Sequence, residues 1–307
     1  MGRPGRSFEV VEFPSEGAQL RGRLYRARGF TPGPIVVMAH GTSATITMVT
    51  DRYAEVFQRA GLNVLLYDHR NFGDSGGEPR QQINPWIQAR GYRDALTYVE
   101  SLDGIDRERI ALWGDSYSAG EVLVVAAVDD RVGAVVAQVP SLGAEPPPPD
   151  PDGSLFAALR ETLQHGDIAG GPLDTQGPLP VVSSDQLATP SLLLPIQAFR
   201  WFVEYGGRHG TGWLNVATRV VPQTPAPFHA GIAAPHVRRP MLMLIAPRDE
   251  MPQANPAVSR AAYQAVPGAK QLIDIDGGHF GLLHYPSDLF DISTHAQRDF
   301  LIRVFGQ

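Results

Sequence analysis

Six short stretches of the chain are almost wholly apolar, at 34–39, 62–67, 109–113, 132–139, 241–245 and 271–275. Strands buried on both faces read this way, because neither side of the pleat meets water. Amphipathic segments of helical length lie between most of them, at 51–60, 85–101, 118–128, 256–266 and 293–304. Strands alternating with helices predict an α/β chain whose mostly parallel sheet is covered on both sides. Before this rhythm starts, residues 8–13 and 19–26 alternate apolar and polar around Ser15-Glu16-Gly17, which predicts an antiparallel hairpin at one edge of the sheet.

The rhythm breaks between 141 and 239. Pro146-Pro147-Pro148-Pro149 reads as a stiff connector, 166–180 is rich in Gly and Pro, and 195–205 and 212–220 read as short helices or turns. The predicted organisation is one core made of residues 1–140 and 240–307, with 141–239 inserted over the C-terminal edge of the sheet as a cap. No internal repeat is visible.

Composition narrows the function classes. At 307 residues, with 43% hydrophobic and 19% charged side chains, the chain suits a packed globular domain rather than a disordered one. Its formal net charge of −6 repels phosphate backbones, so no nucleic-acid partner is expected. With Cys 0 there is no disulfide, no cysteine zinc site and no thiol nucleophile, which suits a reducing compartment. No run reaches the ~20 apolar residues of a membrane span, and the first residues lack the apolar segment of a secretion signal. A cytoplasmic protein is expected. The oligomeric state stays open, a homodimer among the options.

The candidate chemistry centres on Gly114-Asp115-Ser116-Tyr117-Ser118-Ala119-Gly120, where a strand passes directly into a helix. A serine on such a turn has its hydroxyl pushed out beside the helix N-terminus, where developing negative charge is favoured. The pattern sought is G-x-S-x-G, and here Ser118 stands at the last position. Read alone, Ser116 has the helix cap as its lesser alternative. Two later strands end in Pro247-Arg248-Asp249-Glu250-Met251-Pro252 and in Asp276-Gly277-Gly278-His279-Phe280. An imidazole can take the serine proton while a carboxylate on its other nitrogen fixes the tautomer, so Ser116, His279 and Asp249 fit nucleophile, base and acid. Glu250 is the neighbouring candidate, one residue of slippage away. After the first parallel strand, His40-Gly41-Thr42-Ser43-Ala44 offers a tight turn, and the backbone N–H groups of Thr42 and Tyr117 are the expected oxyanion donors.

Together with Asp68-His69-Arg70-Asn71-Phe72-Gly73-Asp74-Ser75, these segments resemble the α/β-hydrolase superfamily. Ser116-Tyr117-Ser118-Ala119-Gly120 followed by Gly278-His279-Phe280-Gly281-Leu282-Leu283-His284-Tyr285-Pro286 is similar to a subgroup of bacterial esterase-like hydrolases and fungal polyketide transferases. The resemblance covers the core and leaves the insertion unassigned. It implies acyl transfer from an ester or thioester, to water or to an alcohol or amine, on a small acyl substrate. It implies no cofactor and no metal.

Competing readings fit less well. Gly73-Asp74-Ser75-Gly76-Gly77 copies the nucleophile string of chymotrypsin-like proteases, but it lies among parallel-strand and helix signals rather than in a double barrel. A dehydrogenase would carry G-x-G-x-x-G after the first parallel strand, and none is there. Serine at 116 disfavours relatives with an aspartate nucleophile, and the lack of cysteine those with a thiol. A non-catalytic binding protein would be expected to lack one of the three roles. His40 is expected to steady the oxyanion turn. His284 is the runner-up for base and a candidate pocket residue, with His40, Trp201, Tyr205 and Trp213. Phe199, Phe202 and Phe228 complete the aromatics expected around an apolar pocket. Asp115 reads as a turn former, the remaining histidines as packing or surface groups, and Asp74, Glu78 and Asp103 as no metal cluster.

Overall fold

A computed structural model describes residues 8–29, 32–169 and 173–306. In chain order its elements are β1 (Glu9–Ser15), β2 (Ala18–Tyr25), β3 (Gly33–Ala39), α1 (Thr50–Arg59), β4 (Asn63–Tyr67), β5 (Gln82–Ile83), α2 (Pro85–Glu100), β6 (Ile105–Asp115), α3 (Tyr117–Val128), β7 (Ala134–Gln138) and α4 (Ser154–His165). There follow β8 (Leu173–Leu179), α5 (Ile196–Gly206), β9 (Ala217–Pro222), α6 (Ala230–Ala233), β10 (Met241–Ile245), α7 (Pro256–Ala265), β11 (Lys270–Asp274), α8 (Gly278–Gly281) and α9 (Asp288–Phe305).

Eight strands form the main sheet in the order β1-β2-β4-β3-β6-β7-β10-β11. β1 and β2 pair antiparallel, β2 meets β4 antiparallel, and every pairing from β4 to β11 is parallel. The unbroken apolar strands have the cause expected of them: successive residues enter different cores. Ile35, Val37, Ala39, Leu112, Met241 and Met243 face one side with α2, α3 and α7. Val36, Met38, Ala111, Trp113, Leu242 and Leu244 face the other, with Tyr53 and Phe57 of α1 and Phe290, Phe300 and Leu301 of α9. Helix starts are chemically marked. Asn84 caps α2 through Trp86 N and Ile87 N, with Pro85 in the first turn, and Asn255 with Pro256 repeats the device on α7.

Residues 141–239 differ in detail from the helix-or-turn expectation. α4 packs beside α2 through Phe156, Leu159 and Leu163, and Ala230, Ile232, Ala233 and Val237 join the same layer. α5 joins the opposite layer through Trp201, Phe202 and Tyr205. The stretch at 212–220, expected as helix or turn, leads into strand β9, which lies between β5 and β8 in a second, three-stranded sheet. Strand pairing wins there because Gln176 and Thr175 on β8 supply partners for Arg219 and Val220.

Candidate active site

Ser116 is the residue between β6 and α3 and adopts φ 54°, ψ −116°. A non-glycine residue there is strained by roughly 1–3 kcal/mol and persists only where its surroundings hold it. They do: Ser116 N donates to Gln138 O at 2.9 Å, and Ser141 N donates to Ser116 O at 2.9 Å, so strand β7 and its loop pin the turn. Two glycines give it room. A β-carbon at Gly41 would lie 2.9 Å from Asp115 O and 2.9 Å from Ser116 Cβ, and one at Gly114 would collide with the Ser118 carbonyl.

Asp249 and His279 follow β10 and β11 in the chain. His279 Nε2 lies 2.9 Å from Ser116 Oγ, and its Nδ1 lies 2.8 Å from Asp249 Oδ2. Ring and carboxylate side chains are each only 2% exposed. Because a carboxylate only accepts, Nδ1 carries the proton and Nε2 is left to accept from the Ser116 hydroxyl. The adjacent carboxylates divide the work. Asp249 Oδ1 accepts from Met251 N at 2.8 Å, while Glu250 Oε2 accepts from His279 N at 2.8 Å. Asp249 therefore meets the ring and Glu250 the backbone. Gly277 and Gly278, at φ 134° and 71°, make the tight approach to His279.

Thr42 and Tyr117 border the same space as Ser116, and among the described residues no hydrogen bond within the protein occupies either backbone N–H. The turn carrying Thr42 is tied from behind. Gly41 N donates to Asp115 Oδ1 at 2.9 Å. Burial pushes Asp115 up to about 6, held back by the nearby His279 and the Gly41 N–H. Ser118 Oγ donates to His40 O and lies 3.0 Å from His69 Nε2. His40 Nδ1 lies 2.8 Å from Gly41 O and so donates to it, which leaves Nε2 to accept from His69 N at 3.4 Å. Burial lowers His40 to about 4 and His69 well below the usual histidine range, and it raises Glu121, 3.4 Å from His69, well above the usual carboxylate range. Asp68 is raised to about 7 by burial, against N–H donors from Ile46 and Asp74. Sequence reasoning placed His40 and Asp115 at turns but missed Asp68, His69 and Glu121 beneath them; the signal was Glu121 inside a largely apolar helix.

Ser116 and His279 open into a cavity of about 490 Å³. Of the expected pocket residues, Trp201 lines it, and so do the aromatics Phe202 and Phe228. His40, Tyr205, Trp213 and His284 do not. His40 is instead engaged with Gly41 O, next to Thr42. The Tyr205 hydroxyl is engaged at 2.9 Å by Tyr285 N, and its ring separates His284 from Trp201. Trp213 packs against Gly206 and Phe202, and Phe199 is likewise absent from the lining. The wall is instead completed by Leu142, Leu192–Leu194 and Met251, with Gln176, Arg219 and His229 as polar members. Among the described residues no three His, Asp or Glu side chains are grouped to hold a metal, and no helix is long and apolar enough to cross a membrane.

A family model described as the alpha/beta hydrolase fold matches residues 34–284. The chain belongs to the α/β-hydrolase family. The fungal polyketide-handling resemblance of the elbow and the His279 loop is reflected in its relatives. Thiohydrolase aneE of Aspergillus aculeatus is 43% identical over 140 residues, 45% of this chain and 43% of that one. Quorum-quenching protein AidA of Acinetobacter baumannii is 40% identical over 130 residues, 42% of this chain and 43% of its own. The matched stretch thus spans under half the length of these curated relatives. The crystal structure of the alpha/beta hydrolase GrgF from Penicillium shares the fold at a TM-score of 0.70 and 24% identity, covering 98% of this chain and 99% of that one.

Proposed function

We propose that this α/β hydrolase is a cytoplasmic serine hydrolase that cleaves an ester or thioester of a small, largely apolar or polyketide-like acyl substrate. The observation that carries the reading is the unbroken chain Asp249–His279–Ser116, at 2.8 and 2.9 Å, on a strained elbow facing two unused backbone N–H groups. In this mechanism Ser116 Oγ attacks the acyl carbonyl as its proton passes to His279 Nε2. Asp249 steadies the imidazolium, and the Thr42 and Tyr117 N–H groups receive the oxyanion. Collapse breaks the bond to the leaving oxygen or sulfur, which takes the proton from His279 and departs, leaving an acyl ester on Ser116. Water then attacks this ester with His279 again as base, releasing the acid and restoring the hydroxyl. The chemistry calls on no cofactor. Residues 141–239 serve as the cap, a reading supported by Leu192–Leu194, Trp201, Phe202 and Phe228, which line the cavity that Ser116 borders.

A second reading, acyl transfer to an alcohol or amine on the same triad, is favoured by that apolar wall, which disfavours water at the acyl-enzyme. It also accords with the similarity to polyketide transferase af380 of Aspergillus fumigatus, 41% identical over 133 residues. Ser116→Ala tests the common core: ester and thioester turnover should vanish with the fold intact by circular dichroism, and retained turnover contradicts it. Products formed with and without added alcohols or amines then separate water from another acceptor.

A further inference from the structure

One charged group in the cavity has no part in the triad or the oxyanion turn. Arg219, on β9, is the only arginine or lysine among the described residues that line the space above Ser116. Its strand partner across the β8–β9 pairing is Gln176, whose Oε1 accepts from Arg219 Nη1 at 3.3 Å. Among the described residues no carboxylate pairs with it. Half-buried arginines elsewhere are treated differently: Arg131 is held by Asp129 and Glu100, and Arg90 by Glu16 and three backbone carbonyls. A guanidinium carries five N–H donors in a planar fork, and Gln176 engages one, which leaves the geometry for a bidentate oxyanion.

Its surroundings sharpen the point. Leu192, Leu193, Phe202 and Phe228 share the cavity, so an acyl chain packed on them has this cation within the same space. Among the described residues the one carboxylate bordering the cavity, Asp115, is buried and accepts from Gly41 N. Arg219 also draws the ionisation of Tyr117, the residue after the nucleophile, downward against its burial, so its field reaches the catalytic turn.

We propose that Arg219, with Gln176, forms an anion-binding end of the cavity, so that the substrate carries a carboxylate or phosphate that pairs with this guanidinium while Ser116 attacks the ester. The proposal rests on the serine-hydrolase reading of the same cavity. The anion has two sources: the far end of the acyl chain, or the alcohol or thiol that leaves.

Three activated hexanoyl-length esters distinguish them: p-nitrophenyl hexanoate, its ω-carboxy counterpart p-nitrophenyl hydrogen adipate, and 3-hexanoyloxy-4-nitrobenzoate, whose carboxylate sits on the leaving nitrophenol, each compared by kcat/KM. The parent should favour one of the anionic esters over the neutral one by about tenfold or more, the worth of a charge-assisted bidentate contact. The preference should shrink as salt screens it, and fall to near unity in Arg219→Gln while Arg219→Lys keeps part of it. Preference for the adipate places the anion on the acyl chain, and preference for the nitrobenzoate ester places it on the leaving group. Turnover of the neutral ester with no anionic preference, or a preference that survives in Arg219→Gln, overturns the proposal and leaves the hydrolase reading standing. Because the parent's preference and its salt dependence need no variant, misfolding of Arg219→Gln would not shield the proposal. Failure to turn over any of the three, with Ser116 refractory to a fluorophosphonate, removes the hydrolase reading and this proposal with it.

Discussion

Asp249→Asn changes one atom of the acid, and the structure dictates which way the new amide must lie. Asp249 Oδ1 accepts from Met251 N at 2.8 Å, and an amide nitrogen placed there would face another N–H. The carbonyl oxygen therefore keeps that position, and the NH2 takes the place of Oδ2, 2.8 Å from His279 Nδ1. There it can only donate. Nδ1 must then be the unprotonated nitrogen, and the proton moves to Nε2, the atom 2.9 Å from Ser116 Oγ that has to accept. The Ser116 hydroxyl can then only accept from Nε2–H, and no base faces its proton. A wrong tautomer in a triad of this kind costs about 10⁴ in kcat, or about 5.5 kcal/mol of barrier at 1.36 kcal/mol per decade. The assay is steady-state hydrolysis of an activated ester, with kcat read separately from KM, because only proton transfer is affected. Glu250→Gln is the matched control: its amide oxygen still accepts from His279 N, so a loss of less than about tenfold is expected. If Asp249→Asn retained more than a tenth of parental kcat, or if Glu250→Gln were the more damaging of the two, the assignment of the acid would be refuted.

Gly41→Ala places a β-carbon 2.9 Å from the Asp115 carbonyl and from Ser116 Cβ, both held rigidly, so the turn bearing Thr42 N–H must back away. Losing one oxyanion donor predicts a 10²–10³-fold fall in kcat, of order 2.7–4 kcal/mol, with KM little changed; a parental kcat would show that this turn takes no part. Asp115→Asn tests the buried carboxyl behind that turn. Its pKa is raised from 3.8 to about 6, so the folded state favours the proton, and this contribution is complete below pH 3.8 and lost as pH rises through 6. Asn, which cannot ionise, should therefore gain on the parent by up to about 3 kcal/mol between pH 4 and pH 8 in denaturant unfolding. A variant-minus-parent difference that does not change with pH would contradict the burial argument, since any fixed cost of the amide cancels in that comparison.

Much of this architecture can be read from the residues because burial dictates them. β3, β4, β6, β7 and β10 lie inside the sheet, so each had to be apolar on both faces, and that absence of alternation is itself the signal. The order of Ser116, Asp249 and His279, each following a strand, is equally visible. Sequence preferred Asp249 to Glu250 only because Asp249 comes first after the strand. Neighbours in a loop have no fixed facing, and only the Met251 N–H and the His279 backbone decide which carboxylate turns to the ring. β8 escaped because Leu173–Leu179 is polar, contains Gly177-Pro178 and is exposed along most of its length, so nothing in its pattern is forced by a core. The cavity wall shows the opposite error. Aromatic size drew attention to Tyr205 and Trp213, which build the packing behind Trp201 and Phe202, whereas the small apolar run Leu192–Leu194 reaches the space itself.

The claim on which the rest depends is that Ser116 carries the acyl group during turnover. Rapid acid quench of the protein with excess p-nitrophenyl hexanoate, followed by intact mass and peptide mapping, measures this directly. The account predicts a transient mass gain of one hexanoyl group on the peptide containing Ser116, formed with the burst of nitrophenol, and no adduct in Ser116→Ala. Turnover without an acyl adduct, an adduct on another residue, or catalysis that persists in Ser116→Ala would contradict it.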